Sequence, residues 1–312
     1  MTAVPVEAWV ALTLASSVVF GVSAPAVSRF LPPRSAVWLL STGSLLLAGS
    51  AAVVLGLVVL SVAGGLAPIA TVGHWWAQRV AANEPFDPAT AVVAGLLLAA
   101  GTLRAGVVSW GTLRRVLAAW SAARGCPGPL VVLPDPEPLA FAVPGWPGRI
   151  VASRGVLDAC SPEERLAVLA HEQAHLDGRH DLHLVAVAVA AALDPALVAL
   201  PRASRRAMER WADERAAKDA GDRRIVAAAI GRVAGADPPA WRLLTIPLGA
   251  TDAEWRVRAL LRHPPPRRIA ATLVLASVGM VAAGASLVAG HDIVQVFEAA
   301  MGHPVAAALS GR

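Results

Sequence analysis

A chain of 312 residues could hold two soluble domains, but 56% of it is hydrophobic and its mean hydropathy is +0.57, too apolar for folds that live in water. The net charge of +5 is almost all arginine, Lys218 being the sole lysine, and the arginines flank apolar runs, which argues for membrane topology and against direct nucleic-acid binding. Two cysteines, Cys126 and Cys160, are too few for a disulfide scaffold and lack C-x-x-C spacing.

Residues 6–27 form a first apolar run of the length that crosses a bilayer, about 20 residues. No basic segment precedes it, so it reads as a retained anchor and not a cleaved signal. Arg29 and Arg34 follow. Residues 36–63 make a second run, studded with Gly43, Gly49 and Gly56, which favours tilt or close helix packing. The loop 74–88 is polar, with one arginine against Glu84 and Asp87. A third run, 89–110, ends among Arg104, Arg114, Arg115 and Arg124, and Arg104 within it can snorkel to the interface. A fourth, 269–290, is preceded by Arg256, Arg258, Arg262, Arg267 and Arg268. Positive charge marks the cytoplasmic side. The expected topology is therefore a multi-pass protein of the cell's inner membrane, with residues 111–263 inside. Both termini, the 74–88 loop and a short tail, 291–312, are expected outside.

The less apolar region between the third and fourth runs reads as α+β. Five prolines surround Leu130-Val131-Val132-Leu133, a short strand between turns. Residues 139–143 and 149–152 suggest two more strands joined at Pro144-Gly145-Trp146-Pro147-Gly148. Ser161-Pro162-Glu163-Glu164 then supplies an N-cap, a proline at N1 and a glutamate at N3, the capping-box arrangement that opens a helix. Residues 182–200 are apolar but broken at Asp194-Pro195. If they crossed the bilayer, the helices on either side could not share a metal, so a hairpin that dips into the membrane interface or packs on the domain is expected. A further helix reopens at 201–204 and runs to Gly221, a plausible C-cap.

The helix opened by Ser161 carries His171-Glu172-Gln173-Ala174-His175. Side chains four apart on a helix stand one above the other, so His171 and His175 can present two imidazoles to one Zn2+ while Glu172 acts on the metal's water, the H-E-x-x-H logic of a metallopeptidase. A catalytic zinc needs a third protein ligand, and two candidates compete. Glu209 has Asp213 one turn on, able to hold a ligand histidine by a hydrogen bond. Glu214 points about 140° away from Glu209 at roughly 100° per residue, so both cannot face the metal. Asp181 completes a literal H-E-x-x-H-x-x-G-x-x-D with Gly178, although the methionine turn such a site wants is not evident, Met208 lying within the acidic helix.

Residues 140–145 and 148–153, the helix 166–175 and the Glu209-to-Asp213 segment resemble the membrane metallopeptidases of the BlaR/MecR type. They are also similar to the related HtpX/Ste24-type peptidases, which share the Glu-x-x-x-Asp helix and a histidine five residues after the motif, as His180 stands here. The resemblance covers about residues 110–262, and three spans before it and one after extend it to the BlaR layout. It implies a mainly α membrane protein with four transmembrane helices and an α+β zincin domain, gluzincin-like, with a small sheet. It also implies Glu209 as third zinc ligand, Glu172 as general base, Asp213 behind the ligands, and a catalytic role for His180 in orienting substrate or stabilising the oxyanion. The strand 149–153 would be the sheet edge that takes a peptide. In the antibiotic sensors an outer penicillin-binding domain follows the last span and is acylated through Ser-x-x-Lys. Here about 22 residues follow and Lys218 lies elsewhere, so sensing by that chemistry is not expected.

The expected function is thus a zinc endopeptidase cleaving a cytoplasmic protein, a transcriptional repressor by resemblance. A membrane protein taken in quality control or processing, as for the HtpX/Ste24 type, is the alternative. A non-catalytic, zinc-braced signalling scaffold is the alternative of another class, against which the presence of Glu172 argues.

Overall fold

A computed structural model describes residues 4–123, 128–233, 250–262 and 269–301. Cys126, Arg124, Arg267, Arg268 and the end of the tail lie outside them. The first two apolar runs form α1 (Val6–Ser28) and α2 (Pro33–Gly64), with Pro33 at the first position of α2, where its missing N–H costs nothing. The 74–88 loop is partly helical: α3 (Ala67–Gly73) precedes it, and α4 (Ala77–Ala82) lies within it and packs against α2 and α12. Helix α5 (Pro88–Ala123) continues thirteen residues beyond the expected end of its span at 110.

Three short strands follow, β1 (Leu130–Leu133), β2 (Ala140–Val143) and β3 (Arg149–Ser153), in the order β1-β3-β2. β3 pairs parallel to β1 and antiparallel to β2. The strand 149–153 is therefore central, and the expectation that it forms the sheet edge is corrected. Alternation within so short a strand shows which face is buried but not which neighbours flank it. The reason lies in the proline-bounded strand β1, which pairs with Ile150–Ser153 along the side of β3 away from β2, the Ile150 amide donating to the Pro129 carbonyl at 2.8 Å.

That helix is α6 (Arg154–Ala159), and α7 (Pro162–Asp177) comes after it. The capping box forms as expected, Ser161 Oγ accepting from the Glu164 amide at 3.2 Å and Glu164 accepting from the Ser161 amide at 2.8 Å. Next come α8 (His180–Leu193), a 3-10 turn at Pro195–Leu197, α9 (Leu200–Ala220) and α10 (Arg223–Val233). Gly221 ends α9 at φ 76, a left-handed value open to glycine at no steric cost. Then come α11 (Ala250–Leu261) and α12 (Ile269–Met301). The last helix runs eleven residues past the expected span end at 290. Its extension has a physical cause: Phe297 stacks edge-on against Trp75 and packs with Val80, so the α3–α4 segment covers it.

α1, α2, α5 and α12 are long and apolar enough to cross a membrane. The broken stretch 182–200 is a hairpin, and it is built into their bundle. Val187, Ala190, Ala191, Leu197 and Leu200 share one buried cluster with Phe20 and Ala24 of α1, Val37, Leu40 and Leu47 of α2, and Leu275 and Ala282 of α12. Two glycines make room for it. A Cβ on Gly21 of α1 would lie 2.0 Å from the Ala196 carbonyl oxygen, and one on Gly101 of α5 would lie 2.4 Å from that of Leu193. The hairpin backbone thus sits in two notches where no side chain fits. At its root, His183 is buried with Nδ1 2.8 Å from Ser41 Oγ of α2 and its ring edge-on to Trp38 at 4.6 Å.

Candidate metal centre

The centre is built where α7 lies along α9. The four-residue spacing in α7 puts His171 and His175 on one face, and their Nε2 atoms stand 3.1 Å apart. The same spacing in α9 puts Glu209 and Asp213 on the opposing face. Glu209 Oε2 lies 3.5 Å from His171 Nε2, and Oε1 lies 3.7 Å from His175 Nε2. Together the three residues offer donor atoms all within 4.8 Å of one another. Two ligands held about 2.0–2.1 Å from one tetrahedral ion stand about 3.3 Å apart, so these spacings suit a zinc-sized cation bound by two imidazoles and a carboxylate. Asp181, the competing candidate, sits in the first turn of α8 and does not belong to this group.

Two residues stand behind the paired histidines His171 and His175. Asp213 Oδ1 lies 3.0 Å from His171 Nδ1, the far side of that ring from the Nε2 facing Glu209, the carboxylate–histidine arrangement that fixes a ligand's tautomer. His180 Nδ1 lies 2.7 Å from His175 Nδ1, and its ring leans on Trp211 of α9 at 4.8 Å. This position follows from Arg179, whose φ of 47 turns the chain back sharply between α7 and α8. A left-handed non-glycine costs about 1–2 kcal/mol, and His180 is brought over Gly178 by it. A Cβ there would stand 2.6 Å from His180 Nε2. Glu172 is half-buried on the ligand helix beside the group.

Arg256 of α11 also belongs to the centre, and the sequence hides it among the arginines that precede the last apolar run. Its Nε and Nη2 donate to the two oxygens of Asp213 at 2.9 and 2.6 Å, and Nη1 lies 3.2 Å from Glu209 Oε2. Nη2 is also 3.4 Å from both ring nitrogens of His171. A signal existed: Leu260, buried, and Ala253 and Val257, partly buried, form the apolar stripe of α11, and Arg256 falls on that stripe. A charge there needs a buried partner.

The charges follow from this packing. Burial and Arg256 push His171 down, but hydrogen bonds to Asp213 and Glu209 outweigh them and bring its pKa up to about 9. Burial outweighs the pull of the Glu209 carboxylate and, with the charge of His171, holds His175 below its ordinary value. Burial, with His175, presses His180 down to about 2, so that ring is neutral. For Glu209 and Asp213 burial acts upward, but the Arg256 guanidinium and the His171 ring together hold both below the usual carboxylate range. Without metal the centre thus sets two carboxylates against the Arg256 guanidinium and the His171 imidazolium, with the His180 ring neutral behind them.

Residues 110–237 match the family model of Peptidase family M48. A stretch of 58 residues is 45% identical to the mitochondrial metalloendopeptidase OMA1 of Schizosaccharomyces pombe (strain 972 / ATCC 24843), covering 18% of this chain and 17% of that protein. The chain therefore aligns with less than a fifth of that relative's length. No solved structure matches it. The His-His-Glu group falls inside the residues that match this family, and four helices long and apolar enough to cross a membrane accompany them.

Proposed function

We propose that the protein is an integral membrane, zinc-dependent endopeptidase whose site lies at the cytoplasmic face of the inner membrane. The observation that carries this reading is the three-donor group His171, His175 and Glu209 at tetrahedral spacing, with Glu172 in the same turn of α7. A structural zinc closes with four protein ligands, whereas three ligands leave a position for chemistry, and a bracing site needs no base. Two imidazoles and a carboxylate are the donors that zinc favours. When bound, zinc supplies Lewis-acid polarisation of the scissile carbonyl and of a water. The Glu172 carboxylate would take a proton from the water that attacks the carbonyl carbon and pass it to the amine as the C–N bond breaks. Asp213 and His180 hold the two ligand rings in orientation through their Nδ1 atoms. This is a different task for His180 from orienting substrate.

The test is Glu172→Gln in purified protein. Metal content is expected to stay at the wild-type level while cleavage falls by about 10²–10⁴-fold, the usual worth of a general base. Cleavage unchanged by the substitution would sink the mechanism and favour a zinc-braced scaffold. Metal content also separates the ligand candidates: Glu209→Ala is expected to lose the ion and Asp181→Ala to keep it.

Two substrate classes remain in play, and each has its support. A cytoplasmic repressor is what the BlaR/MecR-type resemblance implies. A membrane protein taken in quality control or processing has structural support as well. The turn of α9 that carries Glu209 touches the α1–α2 connection, Arg210 donating to the Arg29 carbonyl at 3.1 Å and Arg34 lying 5.8 Å from the Trp211 ring. That puts the third ligand within one turn of the membrane-helix ends, so substrate chain emerging from the bilayer is close at hand. Incubating the purified enzyme with a soluble repressor and with a membrane-anchored peptide decides between the two.

A further inference from the structure

Trp146, in the turn between β2 and β3, is 83% exposed, more than any other large apolar side chain among the described residues. It is not isolated. The Arg179 guanidinium lies over its ring at 4.8 Å and reaches the Gly145 carbonyl at 3.4 Å. The turn is also tied to α7, where Gly148 meets the Leu176 side chain so closely that a Cβ would stand 2.8 Å from it. Arg179 directly precedes α8, the helix that enters the bundle, so the position of this pair relative to the bilayer is measurable along two helices.

Along α5, the Leu193 end of α8 rests at Gly101, and the apolar run ends nine residues on, near Trp110, about 13–14 Å away at 1.5 Å per residue. From Leu193 back to Arg179 is fourteen residues, about 21 Å. Arg179 therefore stands about 7 Å beyond the level of Trp110, within a headgroup layer that is about 5–7 Å deep on each side of the hydrocarbon. Along α2 the result is the same. His183 packs on Trp38, near the start of that helix, and Arg179 is one turn further out. Trp38 and Trp110, 50% and 63% exposed, mark this end of the bundle with the aromatic belt usual at a membrane interface. A second guanidinium–aromatic pair stands at the same end, Arg29 over Phe30 at 4.8 Å.

We propose that the Trp146–Arg179 pair is a bilayer contact of the catalytic domain, with the indole lying in the interface and the guanidinium binding lipid phosphate. An indole has an apolar body and one N–H, which suits the headgroup boundary, and a guanidinium offers the fork of donors that phosphate takes. Leu182, 61% exposed in the first turn of α8, extends the apolar contact toward the hydrocarbon. The domain is then held at two places, by the hairpin inside the bundle and by this turn at the surface. Two attachments fix its tilt on the membrane, and through Gly148 and Leu176 that tilt is passed to the helix bearing His171 and His175.

The full chain, with Cys126→Ser and Cys160→Ala, carries a single nitroxide at position 146, 182, 110 or 166 in nanodiscs of phosphatidylcholine and phosphatidylglycerol. Power saturation compares oxygen with a nickel chelate as relaxant. Labels at 146, 182 and 110 are expected to favour oxygen, and the label at 166, 66% exposed on α7, to favour nickel. A nickel-favoured label at 146 beside an oxygen-favoured one at 110 overturns the proposal while leaving the spans intact; nickel at both overturns the membrane reading with it. In the native background, dibrominated lipid is expected to quench a smaller share of emission from Trp146→Phe than from wild type, and equal quenching overturns the proposal. A several-fold rise in KM of Trp146→Ala for a soluble peptide in detergent would assign the side chain to substrate instead.

Discussion

Between His171, Glu209, Asp213 and Arg256 the charge balance without metal is two carboxylates against a guanidinium and an imidazolium. With its pKa at about 9, His171 carries a proton at neutral pH that a metal must displace. Metal binding at pH 7.5 is thus expected to release close to one proton, and less as the pH passes 9, measurable by calorimetry in buffers of different ionisation enthalpy. The sign for the metal-free fold runs the other way. A histidine raised above its unfolded value of about 6.5 adds stability that is complete below that value and lost as pH rises through about 9. Removing Arg256 leaves Asp213 and Glu209, whose side chains are 3% and 13% exposed, without their cation. Arg256→Ala is expected to destabilise the metal-free protein by about 3–5 kcal/mol, the cost of breaking a buried ion pair. Because a divalent cation supplies the missing charge, the loss of thermal stability is expected to be smaller with zinc bound. Equal losses in both forms would assign Arg256 a packing role alone.

Among the elements, the hairpin α8–α9 decides whether Glu209 can join the two histidines. Glu209 is 34 positions after His175, and what brings it back is a helix that runs into the bundle, breaks at Asp194-Pro195 and returns. Asp194 makes the break local by accepting from the Ala196 amide at 3.0 Å, while Pro195 has no amide to continue α8. The seat at Gly21 and Gly101 cannot yield, because what a Cβ would strike is carbonyl oxygen and not a movable side chain. Gly21→Leu or Gly101→Leu is expected to lower metal affinity and activity together, although both lie far from the centre in sequence. Gly49→Ala, where nothing stands within 4 Å, is the control expected to leave both unchanged. Metal affinity by chelator competition is the readout. The hairpin break was legible in the chain because proline and aspartate act locally. The notches that receive it were not, since each of the many glycines in these runs looks alike until a neighbour is placed against it.

For the whole molecule, the proposed orientation rests on arginine. Arg29 and Arg34 at the α1–α2 turn and Arg114 and Arg115 in the later part of α5 stand at one end of the bundle, which supports a cytoplasmic domain by the positive-inside rule. A membrane-impermeant maleimide on intact cells is expected to label Trp76→Cys, 54% exposed in the segment between α3 and α4, and to reach Leu166→Cys only after permeabilisation. The reverse pattern inverts the topology. The sequence by itself determined what depends on composition and short spacing: four apolar helices, the capped helix with two histidines and a glutamate on one face, and the acidic helix with its own four-residue pair. Only the tertiary structure decided that β3 lies inside the sheet, that Arg256 closes the charge balance, and that His180 stands behind His175. Each of these is a contact between segments far apart in the chain, fixed by which backbones approach closely enough for hydrogen bonds and by which buried charges must find a partner. Neither condition is written in the spacing of any one segment.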